Sequence, residues 1–320
     1  MGKYIFRRLL ALIPVLLVAA LAAFFITNLM PGDPVRLMLG DFATDEQIAE
    51  MTARLGFDKP LMVRFFLWVG RIIRGDLGDS IFLSVPVTHA IASRLEPTML
   101  LAATGLMFGL LLGIPLGVLS AVRQGKLADK LSIGISLFGI SVPSFFIAIV
   151  FVLLFGVTLK WFPVAGYKPV HEVGFGVMKY LFMPGLSIGL MQSGLIARMT
   201  RSAMLDVLHR DYIRTARAKG LAPVRVVFIH AMKNAMSPII TVVGFSLAAL
   251  LGGTWIIETV FNIPGVGALA ISSILKRDYA VIQGCMLFSV LLYLIVNLLV
   301  DIIYGLIDPQ LRIHEKWGML

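Results

Sequence analysis

Six long runs of apolar residues constrain the fold of this chain more than any other feature. Each run has the length of about 20 residues that an α-helix needs to cross the hydrocarbon core of a bilayer. Only 14% of the residues are charged, against about a quarter in a soluble domain. The sequence therefore predicts an all-α integral membrane protein with about six transmembrane helices. The runs cover residues 9–30, 98–122, 131–159, 181–203, 236–257 and 280–306.

The first run follows three cationic residues, an arrangement that secretory signal peptides share. It is too long for the core of a signal peptide, and no small-residue cleavage site follows it. We therefore expect residues 1–30 to be a retained N-terminal transmembrane helix.

Four glycines, Gly105, Gly109, Gly113 and Gly117, recur at every fourth position of the second run. This spacing places them on one face of a helix, where the missing side chains allow a neighbouring backbone to come close. We call these four residues the glycine row and predict that they pack against another helix. Prolines within or beside the runs, such as Pro143, predict kinks.

The distribution of charge predicts the orientation in the membrane. With the N-terminus inside, the whole formal net charge of +10 falls on the inner loops and tails, and the charges outside cancel. Loops rich in Lys and Arg face the cytoplasm. We expect cytoplasmic termini, an extracytoplasmic segment over 31–97 and a cytoplasmic tail over 307–320. No soluble basic patch that would bind nucleic acid remains.

The segment 31–97 contains signals for short helices. Thr44 and Gln47 fit a capping box at the start of a helix over 45–55. A second helix, over 61–73, would carry arginines beside an apolar stripe. Such a helix lies on the outer membrane surface or against the helix bundle, and docking of a substrate-binding protein is the alternative. The stripe consists of Phe65, Phe66, Trp68, Val69 and Ile72.

Motifs for catalysis and cofactor binding are absent from the sequence. No glycine-rich phosphate-binding loop of the G-x-x-x-x-G-K-[ST] type occurs, so we do not expect this chain to bind nucleotides. The five histidines have no metal-ligand spacing. The single cysteine, Cys285, excludes a disulfide framework. We therefore expect no catalytic residues, no metal and no cofactor bound by the chain.

No charged residue lies in the middle of a predicted span, where ionisable groups usually mark proton or ion paths. Arg198, Glu258 and Asp301 lie close to span ends, where their side chains can reach the membrane interface. The sequence therefore lacks the residues of a proton-driven pump.

The loop between the fourth and fifth runs, residues 204–237, is polar and rich in helix formers. Gly220 stands where a helix from Asp206 to Lys219 would end, and Pro223 can begin the next helix. We predict a helix, a sharp turn and a second helix. Charge alone leaves two interpretations open, a contact for another protein or a solvated loop that follows the positive-inside rule.

This loop resembles the signature loop of permeases from binding-protein-dependent ABC importers. The matching stretches are DYIRTARAKGL at 211–221 and HAMKNAMSP at 230–238, in the form of the dipeptide/oligopeptide/nickel branch, close to dipeptide and glutathione permeases. The general permease pattern has Glu-Ala-Ala before its glycine, whereas Arg214-Thr215-Ala216 precede Gly220 here. Segments at 30–35, 75–80, 86–87, 94–95, 264–267, 277–279 and 301–309 also resemble this branch in order.

The resemblance implies a type I ABC importer transmembrane fold, with residues 98–306 as the core and the loop 204–237 docked on an ATPase subunit. It also implies four kinds of contact: a second homologous permease subunit, two ABC ATPase subunits that bind ATP and Mg, an extracytoplasmic substrate-binding protein and membrane lipid. The location would be the bacterial inner membrane. The ATPase-coupling residues carried over are Asp211, Tyr212, Arg214, Thr215, Ala216, Lys219, Gly220 and Leu221.

Two other functional classes fit the sequence less well. A self-sufficient secondary transporter or channel would show inverted repeats and broken helices or charges at mid-span, and we find no such repeat. An anchoring subunit of a membrane enzyme fits the composition but not the ordered motifs. The substrate stays open among dipeptides, longer peptides, glutathione, nickel chelates and opine-like compounds.

Overall fold

The computed structural model describes residues 2–29, 34–39 and 43–307, and these ranges are mostly helical. The all-α class is confirmed, since an isolated bridge between Asp79 and Pro86 is the only β pairing found within them. Residues 30–33, which begin one of the segments that resemble the importer permeases, and the predicted tail from residue 308 onward lie outside the described residues. The helices are α1 (Gly2–Leu29), α2 (Pro34–Leu39), α3 (Asp45–Leu55), α4 (Leu61–Ile73), α5 (Val87–Ala92), α6 (Leu95–Val122), α7 (Leu127–Ser141), α8 (Ser144–Phe151), α9 (Val170–Val173), α10 (Met178–Leu208), α11 (Asp211–Ala218), α12 (Pro223–Arg225), α13 (Met232–Gly253), α14 (Trp255–Val260), α15 (Val266–Lys276) and α16 (Tyr279–Ile307), with π-helical turns at Val152–Thr158 and Val226–Ala231 and a 3-10 turn at Gly174–Val177.

The prediction of about six transmembrane helices is confirmed. In the part of the chain that the structure describes, five helical stretches are long and apolar enough to cross a membrane, or six if one bent pair counts as a span. The five stretches are Leu10–Leu29, Val87–Val122, Val170–Leu208, Pro223–Gly253 and Tyr279–Val300.

The third predicted span is the bent pair. α7 ends at Ser141 and the chain turns by 98° before α8 begins at Ser144. Val142 has an extended conformation (φ −89°, ψ 124°), because the ring of Pro143 disfavours a helical conformation in the residue before it. The predicted kink at Pro143 is therefore a complete break, and a single helix over 131–159 is wrong.

The fifth predicted span differs at both ends. It begins at Pro223, well before residue 236, and passes through the π-helical turn into α13. α13 ends at Gly253, and α14 begins at Trp255. Two consecutive glycines, Gly252 and Gly253, lower helix propensity at this break. The predicted end at residue 257 is therefore four residues too far along the chain.

One compact unit comprises Met1–Leu95 and Gly265–Leu291. In this unit, α1 packs against α4 and the first part of α16 through a cluster that includes Phe24, Phe65 and Trp68. The side-chain amide of Gln283 in α16 donates a hydrogen bond of 2.7 Å to the Thr27 hydroxyl in α1. This polar contact fixes the register between two candidate spans.

The capping box predicted for α3 is confirmed in the same unit. The backbone N–H of Gln47 donates to the Thr44 hydroxyl at 3.3 Å, and the Thr44 N–H donates to the Gln47 side chain at 3.0 Å. Both bonds satisfy N–H groups that have no partner within the helix.

The second unit comprises Glu96–Pro264 and Leu292–Leu320, and α10 contacts α7, α8 and α13 within it. The glycine row of α6 faces α10. A Cβ atom added at Gly113 would lie 2.8 Å from the carbonyl oxygen of Ser193 and 2.9 Å from the Cβ of Ile196. α10 has its own glycines at this contact, Gly185 and Gly189, which face Thr104 and Phe108 of α6. The two helices therefore meet at backbone distance.

Candidate functional site

α11 lies in the polar loop between the fourth and fifth spans. The predicted helix from Asp206 to Lys219 is interrupted, because α10 continues to Leu208 and α11 begins only at Asp211. Between them, Arg210 is extended (φ −71°, ψ 148°) and turns the chain. Asp211 in the first turn of α11 places a negative charge at the positive end of the helix dipole.

The end of α11 is a glycine turn. Gly220 has φ +77°, the left-handed conformation predicted for it. The N–H of Gly220 donates to the carbonyl of Arg217 at 3.0 Å, and the N–H of Leu221 donates to the carbonyl of Ala216 at 3.4 Å. These two bonds satisfy the last carbonyls of the helix in a Schellman arrangement. Pro223 then begins the next helix, as predicted.

One face of α11 is anchored in the core of the second unit. Ile213 is completely buried and Ala216 is 8% exposed. They belong to a cluster with Val118 of α6 and Met204 of α10. Burial of an Ile side chain contributes about 1.5–3 kcal/mol. The sequence analysis missed Ile213, although its spacing of three residues from Ala216 is typical of the buried side of a short helix.

The opposite face of α11 is exposed and mainly cationic. Arg214 forms an ion pair of 3.6 Å with Asp211, but side-chain exposures of 74% and 95% make this pair weak. Ala216 is buried and Leu221 is half-buried, so both face the core of this chain. The exposed residues of the predicted coupling set are Asp211, Tyr212, Arg214, Thr215, Lys219 and Gly220.

A cleft of about 580 Å³ lies beside α11. Arg217 and Leu221 line it on the side of α11, the ends of α6 and α10 line another part, and α12 with the π-helical turn after it completes the lining. Eight of the eleven lining residues have apolar side chains, but polar atoms make up about half of the lining surface. The cleft is lined by Ala121, Val122, Gln124, Leu205, Leu208, His209, Arg217, Leu221, Pro223, Val226 and Val227.

A buried carboxylate joins α6, α7 and α10 close to this cleft. Asp129, in the first turn of α7, is 4% exposed. It accepts two hydrogen bonds from Arg201 of α10, from Nε at 2.9 Å and from Nη2 at 3.1 Å. The Ser120 hydroxyl of α6 and the N–H of Gly125 also donate to it. The sequence analysis did not find this cluster, because no local pattern links residues that lie 72 positions apart.

Glu258 corrects one interpretation of the charged residues near span ends. Its side chain is completely buried and accepts hydrogen bonds from the hydroxyls of Thr98 at 2.8 Å and Thr254 at 2.9 Å. It therefore packs between helices and does not extend to the membrane interface as predicted. Arg198 is exposed, and the side chain of Asp301 lies outside the described residues.

Tyr167 lies in the loop between the third and fourth spans and donates a hydrogen bond of 2.6 Å to Glu96. Burial and the neighbouring carboxylate raise the pKa of Tyr167 above its usual value. The phenol therefore stays protonated and ties this loop to the N-terminal end of α6. Within residues 2–29, 34–39 and 43–307, no group of three or more His, Cys, Asp and Glu side chains could hold a metal ion.

Two family models match most of the chain. The model of the binding-protein-dependent transport system inner membrane component matches residues 113–313. The model of the N-terminal part of such a membrane component matches residues 1–101.

Several relatives are similar along nearly their whole length. A probable peptide ABC transporter permease protein of Sinorhizobium fredii is 40% identical over 98% of this chain and 100% of its own. A glutathione transport system permease protein of Salmonella typhimurium is 39% identical over 98% of this chain. A di/tripeptide transport system permease protein of Pseudomonas aeruginosa is 39% identical over 99% of this chain and 100% of its own.

One solved structure, of the MetNI methionine ABC transporter in an inward-facing conformation, has a similar fold. The TM-score is 0.57 at 17% sequence identity, over 69% of this chain and 97% of that chain. At this identity the similarity concerns the fold alone.

Proposed function

The chain belongs to the family of binding-protein-dependent transport system inner membrane components, and from this membership we propose that it forms half of the translocation path for a small polar solute. It is a multi-pass membrane protein and a permease subunit of an ABC importer. The other half of the path would come from a second, homologous permease subunit.

Our proposal for how ATP hydrolysis drives transport rests on the geometry of α11. Its apolar face is fixed to α6 and α10 through Ile213, while its cationic face and the adjacent cleft are open. A partner that pushes on the open face would therefore move two membrane helices. We assign this face to an ATPase subunit, and Asp211, Tyr212, Arg214 and Lys219 to direct contact with it.

Gly220 has a different role in this mechanism. Its left-handed conformation reverses the chain after α11 and directs it into the fifth span. Ala216 and Leu221, whose side chains face the core, would position α11 and leave the contact to the exposed residues. ATP and Mg²⁺ would be held by two partner ATPase subunits, and this chain would bind no cofactor.

The orientation follows from the same assignment. The face of α11 would lie in the cytoplasm of a bacterium, with the chain in the inner membrane and both termini on the cytoplasmic side. The excess of Lys and Arg on that side supports this orientation. Residues 31–97 would then face a soluble substrate-binding protein outside.

The substrate class is proposed from the relatives. Their names describe peptide, glutathione and di/tripeptide transport, and these solutes share amide bonds and a polar, flexible backbone. We assign short peptides or a related small polar solute to this importer. Titration of the associated binding protein with dipeptides, tripeptides, glutathione and nickel chelates would identify which of these it delivers.

The decisive experiment for coupling is Gly220→Val in the reconstituted complex. A left-handed conformation costs a residue with a side chain about 1–2 kcal/mol, so the turn after α11 would rearrange. We expect loss of substrate-stimulated ATP hydrolysis, or loss of the ATPase subunits on purification, with normal membrane insertion. The matched control is Gly166→Val, which adds the same side chain at φ +100° in the loop that precedes α10.

Three outcomes would contradict the proposal. Normal stimulation, transport and co-purification with Gly220→Val would remove α11 from coupling. Transport by the chain without any ATPase subunit would favour the secondary transporter or channel that the sequence left as an alternative. An equal defect in the Gly166→Val control would show that general instability, and no specific contact, causes the loss.

A further inference from the structure

α4 (Leu61–Ile73) presents three different faces around its axis. Residues on an α-helix follow each other at about 100°, so position along the chain fixes the face of each side chain. Phe65 and Trp68 are buried, whereas Phe66 is 70% exposed. Phe66 therefore lies apart from the buried members of the apolar stripe predicted from the sequence, and its exposure needs its own explanation.

The buried face fixes the depth of α4 relative to α1. Phe65 and Trp68 pack against Phe24, with ring centroids 5.4 Å apart in both pairs. Phe24 lies five residues before Leu29, the last described residue of the first candidate span. Five residues of helix correspond to about 7 Å along the axis. Helices that lie in a membrane interface are immersed by about 5–10 Å, and a contact about 7 Å from Leu29 along α1 is of that order.

The second face is apolar and exposed. Met62, Phe66 and Ile73 are 60%, 70% and 79% exposed, and they lie within about 40° of each other around the axis. Val63 and Leu67 continue this apolar surface on the side away from α1. A contiguous surface of large apolar side chains marks a membrane or protein contact.

The third face is cationic. Arg64 and Arg71 lie about 170° from the centre of the apolar face. α4 contains no Asp, Glu or Lys. The Arg64 guanidinium lies 4.5 Å from the centroid of the Phe57 ring, within the range of a cation–π contact. Guanidinium groups beside an apolar surface are suited to phosphodiester oxygens.

We propose that α4 is an interfacial helix that binds phospholipid. It lies along the membrane surface at the C-terminal end of α1, with Met62, Phe66 and Ile73 among the acyl chains. Arg64 and Arg71 lie at the level of the phosphate groups. The exposed apolar surface of α1 continues to this level through Ile26 and Leu29, which are 51% and 80% exposed, so lipid covers both helices. A transient protein partner would leave this surface in water between encounters, which favours lipid as the occupant.

The inference is independent of the coupling role of α11 and can be tested by spin labelling. The full complex is reconstituted in liposomes after Cys285→Ala, which removes the buried native thiol. A nitroxide is attached at Phe66→Cys or, as the matched control on the same helix, at Arg71→Cys. Met62→Cys provides a second label on the apolar face if Phe66→Cys does not assemble. The measurement compares collision with oxygen, which dissolves in lipid, and with a water-soluble nickel chelate.

We expect the label at Phe66 to have a ratio of oxygen to nickel collisions several-fold higher than the label at Arg71. Saturating binding protein should leave the ratio unchanged. A label at Phe66 that collides mainly with the nickel chelate would place this face in water and overturn the proposal. Low collision with both reagents, or a fall when binding protein is added, would assign the face to a protein partner. The ratio is also measured in liposomes with and without anionic lipid. A high ratio only with anionic lipid would indicate that α4 recognises lipid charge, and a high ratio in both would indicate that it recognises any phosphodiester. The proposal requires oxygen access at Phe66 in either case.

Discussion

A single methyl group added at Gly113 tests the contact between α6 and α10. In Gly113→Ala, the new Cβ would lie 2.8 Å from the Ser193 carbonyl oxygen, whereas ordinary contacts begin at 3.4 Å. Because the closest atom belongs to the backbone, no side-chain rotation relieves the overlap. Overpacking of this kind destabilises by about 1–3 kcal/mol, and the higher helix propensity of Ala offsets up to about 1 kcal/mol. We expect net destabilisation of roughly 1–2 kcal/mol.

The matched control is Gly134→Ala in α7. No atom lies within 4 Å of a Cβ added at Gly134, so only the gain in helix propensity remains, and stability should be unchanged or slightly higher. Gly109→Ala should cause an intermediate loss of stability, since the new Cβ would lie 3.1 Å from the Cβ of Gln192. Gly113→Leu should prevent assembly, whereas Leu111→Phe, at a position that is 61% exposed, should be mild.

The assay is thermal unfolding of the purified complex in one detergent, followed by size-exclusion chromatography. A change of 1 kcal/mol corresponds to a shift of about 2–4 °C in Tm for a domain of 150–250 residues, and to roughly 2 °C or somewhat less for a chain of this length. Gly113→Ala should therefore lower Tm by a few degrees, and Gly134→Ala should not. Equal Tm and yield for the two variants would mean that α6 and α10 do not touch at backbone distance, and the packing argument would be wrong.

Two further predictions concern orientation and the cluster around Asp129. Single cysteines at Thr44 and Gln124, both exposed positions, should react with impermeant reagents from opposite sides of the membrane, and labelling of both from outside intact cells would refute the orientation. Asp129→Asn removes the charge that pairs with Arg201 and should lower stability by about 1–3 kcal/mol. The same assay should show little change for Arg198→Gln, an exposed arginine on α10, the helix that carries Arg201, and equal Tm values for these two variants would contradict the assigned role of Asp129.

The sequence predicted those parts of the fold that depend on neighbouring residues. Apolar length predicted the spans, the Thr44 and Gln47 pair predicted the capping box, and Gly220 predicted the end of α11. Each of these follows from residues within a few positions of one another. The positions of helix breaks were harder to predict. Val142, the residue before Pro143, leaves the helix completely, but a helix that is only kinked at a proline has the same sequence pattern.

The parts that the sequence did not predict depend on tertiary neighbours. Glu258 was placed at the interface because it is charged and near a span end, yet two threonine hydroxyls from different helices hold it in the interior. The Asp129 and Arg201 pair likewise requires knowledge of which helices pack together. For the proposed coupling site, the motif at 211–221 contains both exposed and buried residues, and only the packing of α11 identifies Ile213 as the residue that anchors it.

These contacts determine how a force on α11 would spread through the second unit. Ile213 transmits it to α10, the glycine row transmits it to α6 at backbone distance, and Asp129 ties the start of α7 to both. Close-packed contacts of this kind have little compressibility, so these three helices would move together near the loop. The break before Pro143 interrupts the backbone ladder between α7 and α8, and a second break follows Gly253. Changes of direction in these helical segments concentrate at such breaks, so the contacts that join α6, α7 and α10 near the loop do not extend rigidly through α8 or α14.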